Sequence, residues 1–220
     1  MLLCDLDDTV VAPAGAFFAW AGTFVDVWGL PSAAHAWLLE QDHSGYRSRP
    51  DLFAALKERF DLPVSVDDLL AGFYRDFPAL FRCDEEVRAA LQRARAAGWR
   101  IAIVTNGSPS QEEKIFAAGL DRLVDTWCIS AVEGCRKPDR RLLETAAERC
   151  HDSLEGAWLI GDAPDADIGA ANAAGLFSIW LRRGRTWPRP DYSPTLEAST
   201  FSEAIELLLA HGSPATRGNR

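Results

Sequence analysis

The chain has 220 residues, 48% of them hydrophobic, and carries 23 Lys and Arg against 32 Asp and Glu for a net charge of −9. That length buries a substantial core without covalent staples, and that charge excludes a broad nucleic-acid surface or an anionic membrane as partner. The five cysteines (Cys4, Cys83, Cys128, Cys135, Cys150) are odd in number and lack CxxC spacing, which argues against a disulfide framework or zinc site and predicts reduced thiols in a cytoplasmic protein. Cys135, between Gly134 and Arg136-Lys137, is either an activated thiolate or an inert small side chain, and the inert reading is preferred. No apolar run reaches the roughly 18 residues of a membrane span. Met1 stands only four residues before Asp5, which makes the first strand very short and leaves room for a start further upstream.

The apolar run Leu2-Leu3-Cys4 predicts a buried strand that ends in Asp5-Leu6-Asp7-Asp8-Thr9, three carboxylates and a hydroxyl in five residues. Like charges at a strand end repel unless a metal or protonation offsets them, which points to a magnesium site. The alternative is that these acids cap a helix or sit in a solvated loop. From Ala12 to about Phe81 the pattern becomes helical and aromatic: Phe17, Phe18, Ala21, Phe24, Val25 and Trp28 recur at helical spacing up to Gly29. Further helices are expected after Ser32, over 51–60 and over 66–77. The segment His43 to Pro50 has the composition of a loop.

After Pro78 helices and strands alternate. Asp84 is expected to cap a helix over 85–97, and Arg100 to Val104 forms a buried strand ending in Thr105-Asn106-Gly107. A helix over 110–118, a strand over 125–129 and a helix over 139–150 follow. Next come a strand over 157–160 ending in Gly161-Asp162, a helix over 165–174, a strand over 177–181 and a last helix over 201–209. The stretch from Arg182 to Thr200 is expected to be an extended surface loop, and 213–220 a disordered tail. Such alternation predicts an α/β fold, a parallel sheet with helices on both faces and its ligands at the carboxyl ends of the strands.

Phosphoryl transfer needs an in-line nucleophile, a proton donor for the leaving oxygen and positive charge around the equatorial oxygens. Asp5 is the expected nucleophile and Asp7 the proton carrier. Thr105 and Asn106, with the Gly107 turn, are expected to donate hydrogen bonds to the phosphoryl oxygens, and Lys137 before Pro138 to neutralise Asp5 and the transferred group. In Gly161-Asp162-Ala163-Pro164-Asp165-Ala166-Asp167, Asp162 joins Asp5 as a direct magnesium ligand with help from Asp167. Asp165 is read instead as complementing a helix dipole.

DxDxT, strand-TNG, KP and GDxxxxD in this order resemble the haloacid dehalogenase superfamily of phosphohydrolases, over almost the whole chain. The resemblance implies a Rossmann-like core over 1–12 and 82–212 with an inserted helical cap over 13–81. It implies that Asp5 is nucleophile and metal ligand, that Asp7 is acid/base with its backbone carbonyl on the metal, and that Thr105 and Asn106 bind phosphate. Lys137 is then the stabilising cation, Asp162 a metal ligand and Asp167 its support. Asp8 stands where the commonest first motif has Gly, and Ala163 where Ser is frequent. The dehalogenase branch lacks an acid at position 7, so the chain resembles the phosphatases: a magnesium-dependent hydrolase of a small phosphorylated metabolite, monomeric or a small homo-oligomer. The loop Gly45-Tyr46-Arg47-Ser48-Arg49 resembles the family's specificity loop, where Arg47 or Arg49 either binds a second anionic group of the substrate or is merely solvated. A phosphomutase is the near alternative. A receiver-type phosphoacceptor module is the distant one, disfavoured by the cap and the motif order.

Overall fold

The computed structural model describes residues 1–45 and 47–213. Tyr46 and all of the expected tail beyond Ser213 lie outside these. The chain divides into two compact units, Met1–Val11 with Cys83–Arg220, and Ala12–Arg82. Among the described residues no helix is long and apolar enough to cross a membrane.

Strand β1 (Leu2–Cys4) opens the first unit, and the helical unit follows with α1 (Pro13–Val27), α2 (Ala33–Asp42), α3 (Arg49–Phe60) and α4 (Val66–Asp76). Pro13 suits the first turn of α1, where its missing N–H would have no partner in any case. Ser48 caps α3 by accepting from the Asp51 N–H, so this helix begins two residues earlier than expected. Ser65 and Asp68 cap α4 reciprocally. Ser32, in contrast, is helical and makes no capping bond. The apolar spacing of α1 buries Phe17, Trp20, Ala21 and Val25 against Phe53 and Phe73. Trp20 meets Phe73 at 5.0 Å and Phe53 at 5.4 Å between ring centroids, both edge to face.

The first unit resumes with α5 (Glu85–Ala96), β2 (Ile101–Thr105), α6 (Gln111–Ala117), β3 (Thr126–Ile129), α7 (Ser130–Glu133) and α8 (Arg141–Cys150). It continues through β4 (Trp158–Gly161), α9 (Gly169–Ala174), β5 (Phe177–Leu181), β6 (Leu196–Ala198) and α10 (Phe201–His211). The strands pair in parallel in the order β3-β2-β1-β4-β5-β6. Leu3 lies beside Ala102 and Leu159, and these pack with Leu142, Leu143, Ala146, Ala170 and Ala171 of α8 and α9. Leu2 and Cys4, on the opposite face by the two-residue period, are equally buried, which is why these strands are continuous apolar runs.

Two expectations change here. The segment after Arg182 is not wholly a loop, because Leu196–Ala198 adds a sixth strand, with Leu196 in register with Ile179. Three residues are too few to show a strand period. The expected helix over 165–174 begins instead with a wide π turn, Pro164–Ile168. The chain direction across the sheet reverses between β1 and β4, so the carboxyl end of β1 lies at a topological switch point, where open α/β sheets bind ligands.

Candidate functional site

At the end of β1, Asp5 meets Lys137 and Asp167. The Lys137 ammonium donates to Asp5 Oδ1 and Asp167 Oδ1, each at 2.6 Å, and its side chain is 1% exposed. Burial pulls the Lys137 pKa down, but Asp167 and Asp5 outweigh it and hold the lysine above its ordinary value. Burial pushes the Asp5 carboxyl up to about 7, with Lys137 opposing and Asp167 adding to the rise.

Asp167 is fully buried. The wide turn brings its second oxygen back to accept from the Ala163 N–H at 2.9 Å. Gly161 makes this possible, since a Cβ there would fall on the Asp167 carboxylate itself. Asp162, at the end of β4, pairs with Arg185 at 2.9 Å, and the same guanidinium donates to the Asp162 carbonyl at 2.7 Å. Burial and then Asp167 raise the Asp162 carboxyl to about 6.

One oxygen from each of Asp5, Asp162 and Asp167 lies within 4.8 Å of the others. This all-carboxylate donor set suits a hard cation such as magnesium and not a thiol- or imidazole-seeking metal. The upward shifts of Asp5 and Asp162 mark a cluster with more negative charge than its surroundings solvate, the condition a bound cation relieves.

Asp7, two residues past Asp5, is turned elsewhere. Lys114 donates to both of its carboxylate oxygens at 2.9 and 2.8 Å, and Gln111 Nε2 donates to Oδ2 at 2.9 Å. The same Gln111 amide donates to Thr105 Oγ1 at 2.8 Å, which leaves the Thr105 hydroxyl its own proton to give. Gly107 admits Gln111, because a Cβ at position 107 would stand 2.5 Å from Gln111 Cγ.

Asn106 and Gly107, expected to face phosphate, both make hydrogen bonds within the protein. The Asn106 side chain donates to the Lys137 carbonyl and accepts from the Lys137 N–H, both at 2.9 Å, so it clamps the lysine's backbone. The Gly107 N–H donates to Ser130 Oγ at 3.0 Å. Thr9 steadies the turn through its backbone N–H, which donates to the Leu6 carbonyl at 3.3 Å; its buried hydroxyl has no partner among the described residues. Asp8 takes a left-handed backbone conformation at φ 56°, and its carbonyl accepts from Arg183. Asp165 stands in the first turn of the Pro164–Ile168 element, as expected, and its carboxylate also accepts from Tyr192 at 3.0 Å and pairs with Arg189 at 3.3 Å, tying down the 182–195 segment. Cys135 packs half-buried against the sheet's core.

Arg47 and Arg49 belong to the helical unit, and neither is merely solvated. Arg49 pairs with the buried Asp42 and lies over the rings of Phe17 and Phe73, 4.8 and 5.1 Å from their centroids. Arg47 donates to Gln41 and to the Asp51 carbonyl. Both guanidinium groups thus have structural partners, and the expectation that they bind substrate gains nothing from their placement.

Reasoning from sequence missed Gln111, Lys114 and Arg185. The first two stand three apart at the start of a helix, which places them on one face; that spacing was the available signal. Arg185 lay in a stretch expected to be surface loop.

Thermus thermophilus phosphoserine phosphatase is 33% identical over 152 residues, covering 69% of this chain and 61% of that protein. Pyrococcus abyssi glyceraldehyde 3-phosphate phosphatase is 30% identical over 164 residues, covering 71% and 69%. The chain thus spans less than two thirds of the first relative's length. In fold it resembles the crystal structure of a phosphatase of the haloacid dehalogenase class from Thermococcus onnurineus, with TM-score 0.61 and 21% identity over 97% of this chain and 99% of that one. A family model described as haloacid dehalogenase-like hydrolase matches residues 2–175. The chain belongs to the haloacid dehalogenase-like hydrolases.

Proposed function

We propose that the chain is a magnesium-dependent phosphatase of small phosphorylated metabolites, working through an aspartyl-phosphate on Asp5. The observation that carries this reading is the Asp5–Lys137–Asp167 cluster at the sheet's switch point, with Asp162 within reach of a shared cation. Relatives named as phosphoserine and glyceraldehyde 3-phosphate phosphatases support the reaction class.

In the first step an Asp5 carboxylate oxygen attacks phosphorus, the bond from phosphorus to the leaving oxygen breaks, and Asp7 gives that oxygen a proton. In the second, Asp7 takes a proton from water as the water oxygen attacks phosphorus, releasing inorganic phosphate and restoring the Asp5 carboxylate. Lys137 offsets the charge of Asp5 throughout, and Asn106 holds the lysine's backbone in place. The Thr105 hydroxyl donates to a phosphoryl oxygen, its own oxygen being occupied by Gln111. Magnesium, held by Asp5 and Asp162 with the Asp7 carbonyl and Asp167 in support, would supply positive charge beside the transferred group.

The test is release of inorganic phosphate from a broad panel of phosphate esters with magnesium, comparing wild type with Asp5→Asn. Turnover by wild type and its loss in the variant is the expected result. Absence of phosphate release from every ester overturns the hydrolase reading, and conversion of one ester to its positional isomer without free phosphate would identify a mutase.

A further inference from the structure

Asp7 has to present its carboxyl to the leaving oxygen, yet nothing in the DxDxT run itself restrains that side chain. The restraint comes from α6. Lys114 Nζ bridges both Asp7 oxygens at 2.9 and 2.8 Å, and Gln111 Nε2 reaches Oδ2 at 2.9 Å, so three hydrogen bonds from two side chains of one helix fix the plane of the carboxyl group. Lys114 is largely buried, its side chain 13% exposed, and Gln111 is buried as well. Asp7 itself is 31% exposed, so the contact is part-buried, and three such bonds are better defined than a single exposed ion pair.

The anchoring of these donors is equally specific. Gln111 sits in the space that Gly107 leaves open, and its amide simultaneously holds Thr105 Oγ1. One side chain therefore fixes the distance between the proton carrier at the end of β1 and the hydroxyl at the end of β2. No other described contact joins Asp7 to the neighbouring strand's terminus in this way.

We propose that Lys114 and Gln111 are positioning residues for proton transfer: they hold the Asp7 carboxyl where its proton passes to the leaving oxygen as the phosphorus–oxygen bond breaks. The inference rests on the phosphatase reading, because it assigns these residues to Asp7's part in that reaction. It separates Lys114 from Lys137, which serves the nucleophile. A residue that only stabilises the fold, or only attracts phosphate, affects all esters alike. A residue that positions the proton carrier matters most where the leaving group needs a proton to depart.

The experiment is a leaving-group series. Phosphate release by the full chain with magnesium is measured as kcat/KM for 4-nitrophenyl, 4-cyanophenyl and phenyl phosphate, in wild type, Lys114→Met and Lys114→Arg. For Lys114→Met the loss is expected to grow from under about threefold with 4-nitrophenyl phosphate to about thirtyfold with phenyl phosphate, a part of the roughly hundredfold or more that proton transfer contributes. Lys114→Arg, which keeps two or more donors on Asp7, is expected to recover most of the phenyl phosphate rate. Equal losses across the three esters overturn the positioning role while leaving the phosphatase reading intact, as does an unchanged series. Wild type inactive on all three overturns both. Circular dichroism of each variant identifies misfolding, and where Lys114→Met fails to fold, Lys114→Gln, which lacks the charge, is read in its place against the same two outcomes: a loss that grows toward phenyl phosphate sustains the proposal, and an equal loss or none overturns it.

Discussion

Replacing Lys137 with methionine keeps most of the length of the side chain and removes its terminal ammonium, and with it the charge and the donors. The structure allows the cost to be worked out. Lys137 Nζ makes two buried contacts of 2.6 Å, to Asp5 and to Asp167, and Asp167 has no solvent exposure at all. Breaking a buried ion cluster by removing one member costs about 3–5 kcal/mol, because the partners are left charged and unsolvated. Asp5 limits that cost: burial already pushes its carboxyl up to about 7 with the lysine in place, so without it Asp5 takes up a proton. The expected destabilisation is therefore at the lower end, about 3 kcal/mol. At roughly 2–4 °C per kcal/mol for a chain of this size, Tm falls by about 6–12 °C. Scanning calorimetry in EDTA measures it. Lys137→Met combined with Asp167→Asn should be less destabilised than Lys137→Met alone, since the second change removes the orphaned charge. A loss under about 1 kcal/mol, or strictly additive effects in the double variant, would refute the reasoning.

Gly161→Ala places a methyl on the Asp167 carboxylate; the expected outcome is a loss of about 1–3 kcal/mol with greatly reduced phosphate release, read by thermal melting and turnover. Arg49→Leu strips the buried Asp42 of its ion pair and the Phe17 and Phe73 rings of their cation, so a destabilisation of about 3 kcal/mol is expected in urea unfolding. A fully stable Arg49→Leu would show that this arginine is not structural. Magnesium at 100 times its Kd should stabilise the wild type by about 2.7 kcal/mol, and Asp162→Asn should abolish most of that shift in calorimetry.

The parts of the fold that were legible in the sequence are those where one physical requirement acts on consecutive residues. Leu2–Cys4, Ile101–Thr105 and Trp158–Gly161 are buried on both faces, so each is an uninterrupted apolar run whose end is marked by the first polar residue. Since ligands gather at strand ends, Asp5, Thr105 and Asp162 followed directly. For Lys114 and Gln111 the spacing shows only that they share a helix face; what that face meets was not legible, because a polar pair on a short helix has the same local pattern whether it faces water or a carboxylate 107 or 104 residues away. Asn106 shows a different limit: its place at the strand end was evident, but the direction of an amide side chain depends on the Lys137 backbone that meets it. Strand β6 was missed because three residues, Leu196 to Ala198, acquire their structure from the register of β5 rather than from their own pattern.

The charges at the site lead to a conclusion that no single contact carries. Four carboxylates, those of Asp5, Asp7, Asp162 and Asp167, are each paired with a cation: Lys137 serves two of them, Lys114 the third and Arg185 the fourth. With all ionised, the formal balance is one negative charge. A phosphate monoester dianion approaching that surface is repelled. Every one of these cations is already paired with a carboxylate, so on the proposed phosphatase reading an added ion would supply the positive potential a phosphoryl group needs. A divalent cation among Asp5, Asp162 and Asp167 turns the balance to one positive charge, and the dianion is then attracted. It follows that phosphate and magnesium should bind with mutual enhancement, and that neutralising Asp162 should weaken both.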